Sequence, residues 1–253
     1  GKFILYAMTG ESYFNADGDV SGIFYSEDGG ATWENRQQGL ITFGKPGSSI
    51  PEWRGIATSA LHPGVVYVSY NNLTIPGDTV CLGVARSDDF GKTWDLVWKD
   101  RLFGGQHAID DRYESGWINE RFGPTWGENP FSLVVSPVNP DICYGTDFGR
   151  TSMTEDGGKT WKQVYTKKDE SGNGWISRGL EVTTSYGVVL DPFDDRHLFI
   201  ANTDVGLMES IDKGQSWRSA TIDNGIPRPW INSTYWMTFD PVIKGRAWAA
   251  MSG

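Results

Sequence analysis

Cysteine is almost missing from this sequence: Cys81 and Cys143 are the two copies in 253 residues. Two cysteines cannot build a disulfide-stapled scaffold or a cysteine-based zinc cluster, and both read as small buried apolar residues, not as a bridge. Positive charge is also in short supply, with 22 Lys+Arg against 32 Asp+Glu and a formal net charge of −10. Phosphate affinity requires clustered cations, so nucleic-acid binding is excluded as the main role. No stretch approaches the ~20 apolar residues of a membrane-spanning helix. The first residues carry no basic-then-apolar region of the signal-peptide kind, and no long helical periodicity appears. Apolar residues amount to 38%, yet there are 12 Trp, 32 Gly and 12 Pro. Low hydrophobicity with many Trp and Gly describes short strands and turns, and neither a helix bundle nor a disordered chain.

Four octets repeat along the chain: Ser26-Glu-Asp28-Gly-Gly30-Ala-Thr32-Trp33, Ser87-Asp-Asp89-Phe-Gly91-Lys-Thr93-Trp94, Thr154-Glu-Asp156-Gly-Gly158-Lys-Thr160-Trp161 and Ser210-Ile-Asp212-Lys-Gly214-Gln-Ser216-Trp217. They begin 61, 67 and 56 residues apart. The shared pattern, [S/T]-x-D-x-G-x-[T/S]-W, has the chemistry of a tight turn. The Asp accepts hydrogen bonds from the N–H groups of its own turn, and the Gly provides positive φ. The hydroxyl residues tie the strand ends together, and the Trp buries a flat surface beneath. Asp28, Asp89, Asp156 and Asp212 are therefore read as structural residues, not as catalytic or metal-binding ones.

Strands keep step with the octets. An apolar strand closing on a proline turn recurs at residues 56–63, 132–137, 187–192 and 236–241. A second strand follows at 65–70, 142–147, 197–202 and 246–251, with a matching segment at 3–8. A third leads into the octet and a fourth leaves it. Four antiparallel strands per repeat, radially arranged, is the plan of a β-propeller blade. The expected fold is thus all-β, with blades at about 1–40, 52–100, 130–166 and 185–221 and another starting at 234–253. Five second strands against four octets suggest a part of a longer propeller, seven-bladed or tandem.

The octets resemble the Asp-box (bacterial neuraminidase) repeats of sialidases, sortilin-type receptors and glycoside hydrolase family 74 xyloglucanases. The resemblance spans nearly the whole chain as fold, but the box sits on the periphery of such propellers and is shared by many activities. Ile226-Pro227-Arg228 has the wrong order for the sialidase Arg-Ile-Pro motif, which disfavours a sialidase.

Chemistry is expected in the long connections, 99–127, 168–185 and 222–235. Five tryptophans outside the boxes lie there or at their edges: Trp117, Trp126, Trp175, Trp230 and Trp236. With Arg178 and Tyr235 they form the candidate substrate-binding set, because a sugar ring stacks its C–H face on an aromatic and needs polar partners for its hydroxyls. Some of them can equally close gaps between blades. Thr146-Asp147-Phe148-Gly149 and Thr203-Asp204-Val205-Gly206 stand at the ends of two second strands, where the repeat does not require Asp. In the family 74 glucanases a Thr-Asp-x-Gly at this point carries a catalytic acid, so the resemblance makes Asp147 and Asp204 the catalytic candidates. Inverting hydrolysis uses two carboxyls roughly 6.5–9.5 Å apart. The alternative is that each Asp caps its turn. In that family the catalytic pair comes from two propeller modules, so one of the two aspartates here can be a look-alike. Asp110 and Asp111 beside His107 fit no zinc or calcium spacing and read as a solvated charged loop. His62 and His197 read as structural.

The sequence reading is a secreted, extracellular or periplasmic propeller that recognises a polysaccharide or other glycan. Its resemblance implies an inverting hydrolase of neutral β-glucan or xyloglucan, since a −10 chain repels anionic sugars. The rival is a non-catalytic propeller for carbohydrate or protein binding, with a protein partner or a further propeller module as its counterpart. No cofactor and no metal are expected.

Overall fold

The computed structural model describes residues 3–9, 22–40, 51–75, 80–103, 106–122, 130, 132–147, 149–179, 184–221, 226 and 232–252. The chain forms two compact units, Gly1–Gln163 and Val164–Gly253.

The first unit stacks three sheets. One joins β1 (Leu5–Met8), β2 (Ile23–Ser26) and β3 (Glu34–Asn35). The next runs in chain order through β4 (Glu52–Ser59), β5 (His62–Thr74), β6 (Val80–Ser87), β7 (Asp95–Phe103) and β8 (Gln106–Ala108). After β9 (Tyr113–Glu114) and the short helix α1 (Trp117–Phe122) come β10 (Ser132–Val135), β11 (Cys143–Thr146), β12 (Thr151–Thr154) and β13 (Trp161–Gln163), with β9 lying parallel to β13 at the sheet edge. The strand β5 is covered on both faces. Val66, Val68 and Tyr70 face one core with Ile23 and Trp53, while Tyr67 faces another with Trp98, Leu133 and Trp161. Period-two alternation therefore appears as one unbroken apolar run.

The second unit opens with a hairpin of β14 (Thr166–Lys168) and β15 (Trp175–Ser177). A four-stranded sheet follows, β16 (Ser185–Asp191), β17 (Asp194–Asn202), β18 (Gly206–Ser210) and β19 (Arg218–Ser219), and then the pair β20 (Ser233–Phe239) and β21 (Ala247–Ser252). Phe199, Ala201, Leu207 and Met237 form its core. The architecture is all-β, of hairpin-connected antiparallel sheets in the order of propeller blades.

All four boxes close in the same way. In the first, Ser26 Oγ donates to Asp28 Oδ1 at 2.8 Å and accepts from Gly30 N–H at 2.9 Å, while Thr32 gives its N–H and hydroxyl to Asp28 at 2.9 and 2.6 Å. The same four bonds recur around Asp89, Asp156 and Asp212. The hydroxyl and N–H donors hold the Asp28 carboxyl down at about 2; burial works against the Asp89 carboxyl, but its N–H and hydroxyl donors still hold it at about 2. The expected glycine is in the left-handed region in every box, and so is the residue before it, including Phe90 and Lys213 at φ 64°. That second requirement is absent from the consensus read in the sequence. The expectation that each box Trp is buried holds for Trp161, whereas Trp33 is exposed.

Candidate functional site

Asp147 and Asp204 share a sequence pattern but not an environment. Asp147 follows β11, and its N–H donates to the Arg150 carbonyl at 3.1 Å. Its Oδ1 accepts the N–H groups of Gly149 and Arg150 at 3.1 and 2.8 Å, and its Oδ2 takes Arg150 Nε at 2.7 Å and Nη2 at 2.6 Å. Both side chains are sealed, Asp147 at 2% and Arg150 at 1% exposure. Burial pushes the Asp147 carboxyl up, against the pull of Arg150. Every acceptor direction of this carboxylate is taken, which is the turn-capping arrangement.

Arg150 also links Asp147 to a buried polar group that the sequence reading missed. The guanidinium lies 6.0 Å from the Trp98 ring centre, and Trp98 stacks on Tyr113 at 4.7 Å. Asp100, on β7, is 1% exposed and accepts Trp98 Nε1 at 3.0 Å and Asp110 N–H at 2.8 Å through Oδ1. Its Oδ2 is buried without a hydrogen bond, and burial pushes its carboxyl up to about 6. Asp110 itself is buried, accepting Lys99 N–H at 2.7 Å and pairing with Arg112 at 2.7 Å. The solvated loop expected around Asp110 is thereby corrected for that residue: its carboxylate is an internal tie between β7 and Arg112, just before β9. Asp111 is exposed.

Asp204 is the opposite case. It sits at φ 63° at the centre of a three-residue turn, with Val205 N–H donating to the Thr203 carbonyl at 2.7 Å. A positive-φ turn of this kind is rare and strained. Its N–H reaches Ser233 Oγ at 3.3 Å, while its exposed carboxylate makes no hydrogen bond to the described residues. Around it stand two tyrosines. Thr203 Oγ1 donates to Tyr186 OH at 2.8 Å, the Tyr186 and Tyr235 rings lie 5.3 Å apart at 50°, and Tyr235 OH meets Ser252 Oγ at 3.0 Å. Both rings are about half exposed, Tyr186 at 45% and Tyr235 at 47%. Trp236, 54% exposed, packs over Gly187, where a Cβ would lie 2.6 Å from the indole. The ends of β16, β17, β20 and β21 thus bring together a partly exposed aromatic surface and a carboxylate that has no hydrogen bond to the described residues.

The remaining candidates divide. Trp117 is buried on α1, which removes it from any binding surface. Trp175 pairs its backbone with Trp217 and carries the Lys168 ammonium 3.9 Å above its ring, so one face is already occupied. Arg178 is exposed. Trp126 and Trp230 lie outside the described residues. Cys81 and Cys143 are buried and form no disulfide. His197 bridges Asp191 at 2.9 Å and Glu209 at 2.8 Å, and Glu209 also takes Arg218 at 2.7 Å. Among the described residues no group of three His, Cys, Asp or Glu could hold a metal, and no helix is long and apolar enough to cross a membrane.

The model of the BNR/Asp-box repeat matches residues 24–35, the first box and the strand before it. No curated protein sequence matches the chain. Among solved structures it is similar to an ancestral GH74 enzyme, at 15% identity and TM-score 0.42 over 92% of this chain and 36% of that one. It is similar to the GH74 xyloglucanase of Xanthomonas campestris at 14% identity and TM-score 0.34, over 99% of this chain and 42% of the enzyme. A third likeness is YCF48 from Cyanidioschyzon merolae, at 13% identity and TM-score 0.29 over 91% and 85% of the two chains. The chain spans about two fifths of the length of the two GH74 enzymes. At such identities and scores, the functional reading rests on the site itself. The chain carries four Asp-box repeats on an all-β framework of antiparallel sheets, the first of them matched by the BNR/Asp-box model.

Proposed function

We propose that this chain is the sugar-recognising part of a secreted propeller, and that it takes a neutral β-glucan or xyloglucan-type polysaccharide at the Asp204 face. The observation that supports this reading is the exposed Asp204 carboxylate, without a hydrogen bond to the described residues, on a strained turn near the exposed aromatics Tyr186, Tyr235 and Trp236. Aromatic rings offer stacking surface for pyranose C–H faces, and the carboxylate and tyrosyl hydroxyls offer partners for sugar hydroxyls. A net charge of −10 favours uncharged glycans.

Hydrolysis is the finer reading, and Asp204 is the residue to carry it. Inversion needs a second carboxyl able to act on water or the leaving oxygen. Asp147 does not suit that part, because Arg150 and the turn occupy its oxygens. This favours glycan binding over hydrolysis as the role of the chain's own residues, with a second module supplying the other carboxyl if bonds are cut.

The test is calorimetric titration with xyloglucan and mixed-linkage glucan oligosaccharides, beside a reducing-end assay. The parent binds, and Asp204→Asn and Tyr235→Ala each weaken binding about tenfold or more, as loss of a contact of about 1.5–3 kcal/mol requires. Unchanged affinity in both variants, or no binding by the parent across the panel, would remove the proposal. Reducing ends released by the parent and not by Asp204→Asn would establish the hydrolytic form.

A further inference from the structure

Three aspartates of the first unit, Asp100, Asp110 and Asp147, turn their carboxyls inward, and two of them have an arginine. Asp100 is the third. It and Asp110 staple two chain segments in both directions: Lys99 N–H donates to Asp110 Oδ2 at 2.7 Å, and Asp110 N–H donates to Asp100 Oδ1 at 2.8 Å. Between the two ends of the staple lies the β7–β8 hairpin, with Arg101 opposite Ala108 at its base. Trp98 Nε1 donates to the same Asp100 Oδ1 at 3.0 Å, whereas Oδ2 is buried with no hydrogen bond to the described residues. We propose that Asp100 is a pH-sensitive latch at the base of the β7–β8 hairpin, closed while its carboxyl is protonated and loosened when it ionises.

The two oxygens of Asp100 are unequal, and that decides which form the site prefers. A carboxylate spreads its charge over both oxygens, so burying one of them without a donor costs the hydration it had in water. The neutral acid avoids that cost. Its carbonyl oxygen still accepts Trp98 and Asp110, and Oδ2 carries the proton. The staple therefore keeps all its bonds in the protonated state and holds a poorly solvated charge in the ionised one.

The groups that face Asp100 come from four elements: Tyr70 from β5, Trp98 from β7 itself, Asp110 and Tyr113 from the start of β9, and Arg150 from the β11–β12 connection. Burial keeps both phenols uncharged, and both are committed elsewhere, Tyr70 OH to the Trp98 carbonyl at 2.9 Å and Tyr113 OH to Ser152 Oγ at 2.8 Å. Arg150 draws Asp100 toward its charged form, but its Nε and Nη2 are bound to Asp147 Oδ2. Burial also works against the Asp110 charge, yet Arg112 prevails and keeps that neighbour ionised, so it repels a second negative charge. The net result is set by burial, which lifts Asp100 from 3.8 to about 6 against its donors and Arg150. The folded protein thus holds this proton more tightly than the unfolded chain. The stabilisation is complete below the unfolded value and is lost as pH rises through the folded one, which between pH 5 and 7.5 amounts to about tenfold in the folding equilibrium.

Asp100→Asn tests the latch, because the amide keeps an acceptor for Trp98 and Asp110, carries no charge at any pH and leaves His197 in place. In denaturant melts the parent should lose about tenfold more of its folding equilibrium than Asp100→Asn between pH 5 and 7.5. The indole N–H resonance of Trp98, assigned by its loss in Trp98→Phe, should titrate with a midpoint near 6 in the parent and stay fixed in Asp100→Asn. Exchange of the Asp110 amide hydrogen should quicken with pH in the parent beyond its rate in the variant, which marks the hairpin base as the part that loosens. Should Asp100→Asn fail to fold, the Trp98 titration in the parent decides alone. Equal pH dependence of stability in parent and variant, an Asp110 amide that exchanges alike in both, or a Trp98 resonance that does not move between pH 4.5 and 7.5 would overturn the proposal.

Discussion

Replacing Asp147 by Asn separates a structural from a catalytic role for this residue. The substitution keeps the shape of the side chain and removes its charge, so Arg150 is left buried, at 1% exposure, opposite a neutral amide whose NH₂ cannot accept from it. Breaking one partner of a buried pair costs about 3–5 kcal/mol, because the remaining charge is uncompensated. For a chain of this size, about 2–4 °C is lost per kcal/mol, so the melting temperature should fall by roughly 6–20 °C. The matching Asp204→Asn change removes an exposed carboxylate and should stay within about 0.5 kcal/mol. Urea unfolding followed by tryptophan fluorescence suits the comparison, since Trp98 lies beside the Arg150 guanidinium. Removing both charges, as Asp147→Asn with Arg150→Met, should recover part of the loss, because no lone charge is then left inside. If Asp147→Asn unfolds within 1 kcal/mol of the parent, or is no less stable than Asp204→Asn, the reading of Asp147 as a structural tie is wrong.

Two further expectations concern titration and reactivity. Burial opposes the charged form of His197, but its bonds to Asp191 and Glu209 prevail and raise its pKa. Its contribution is therefore complete below the unfolded value near 6.5 and is lost as pH rises through the higher folded value. Between pH 6 and 9 the parent should lose more stability than His197→Gln in parallel denaturant melts, and equal slopes would contradict this. Cys81 and Cys143 are fully buried, and burial pushes the Cys143 thiol up to about 12. Ellman's reagent should find no thiol in the native protein and two after denaturation; rapid native labelling would show the cores around β5 and β11 to be open.

The parts of the fold that could be read from sequence are those with local causes. Each box carries its own donors and acceptors, and all four fold as their residues dictate. Strands bounded by proline turns were legible for the same reason. What was missed had one local cause, overlooked in the sequence, and several causes distant in sequence. Thr146-Asp147-Phe148-Gly149 and Thr203-Asp204-Val205-Gly206 are near-identical strings, and the difference between a sealed ion pair and an exposed carboxylate arises from Arg150, against Leu207 at the equivalent place. That arginine was a usable signal. Trp117 and Trp175 could not be told apart from surface aromatics by composition, since burial on α1 and pairing with Trp217 depend on the sheets beside them. The inward turn of Asp110 likewise depends on Asp100 and Lys99 across the β7–β9 connection.

The box has a consequence for how such a chain can change. Its bonds close within eight residues, so the clasp forms at the entropic cost of a very short loop, whatever lies between one clasp and the next. Lengthening a flexible connection adds little, about 0.6 kcal/mol per doubling. The unequal intervals of 61, 67 and 56 residues record that freedom. New surface can therefore be inserted between clasps, one connection at a time, while the strands on either side keep their register. Specificity in this architecture can drift without the blades having to be re-solved.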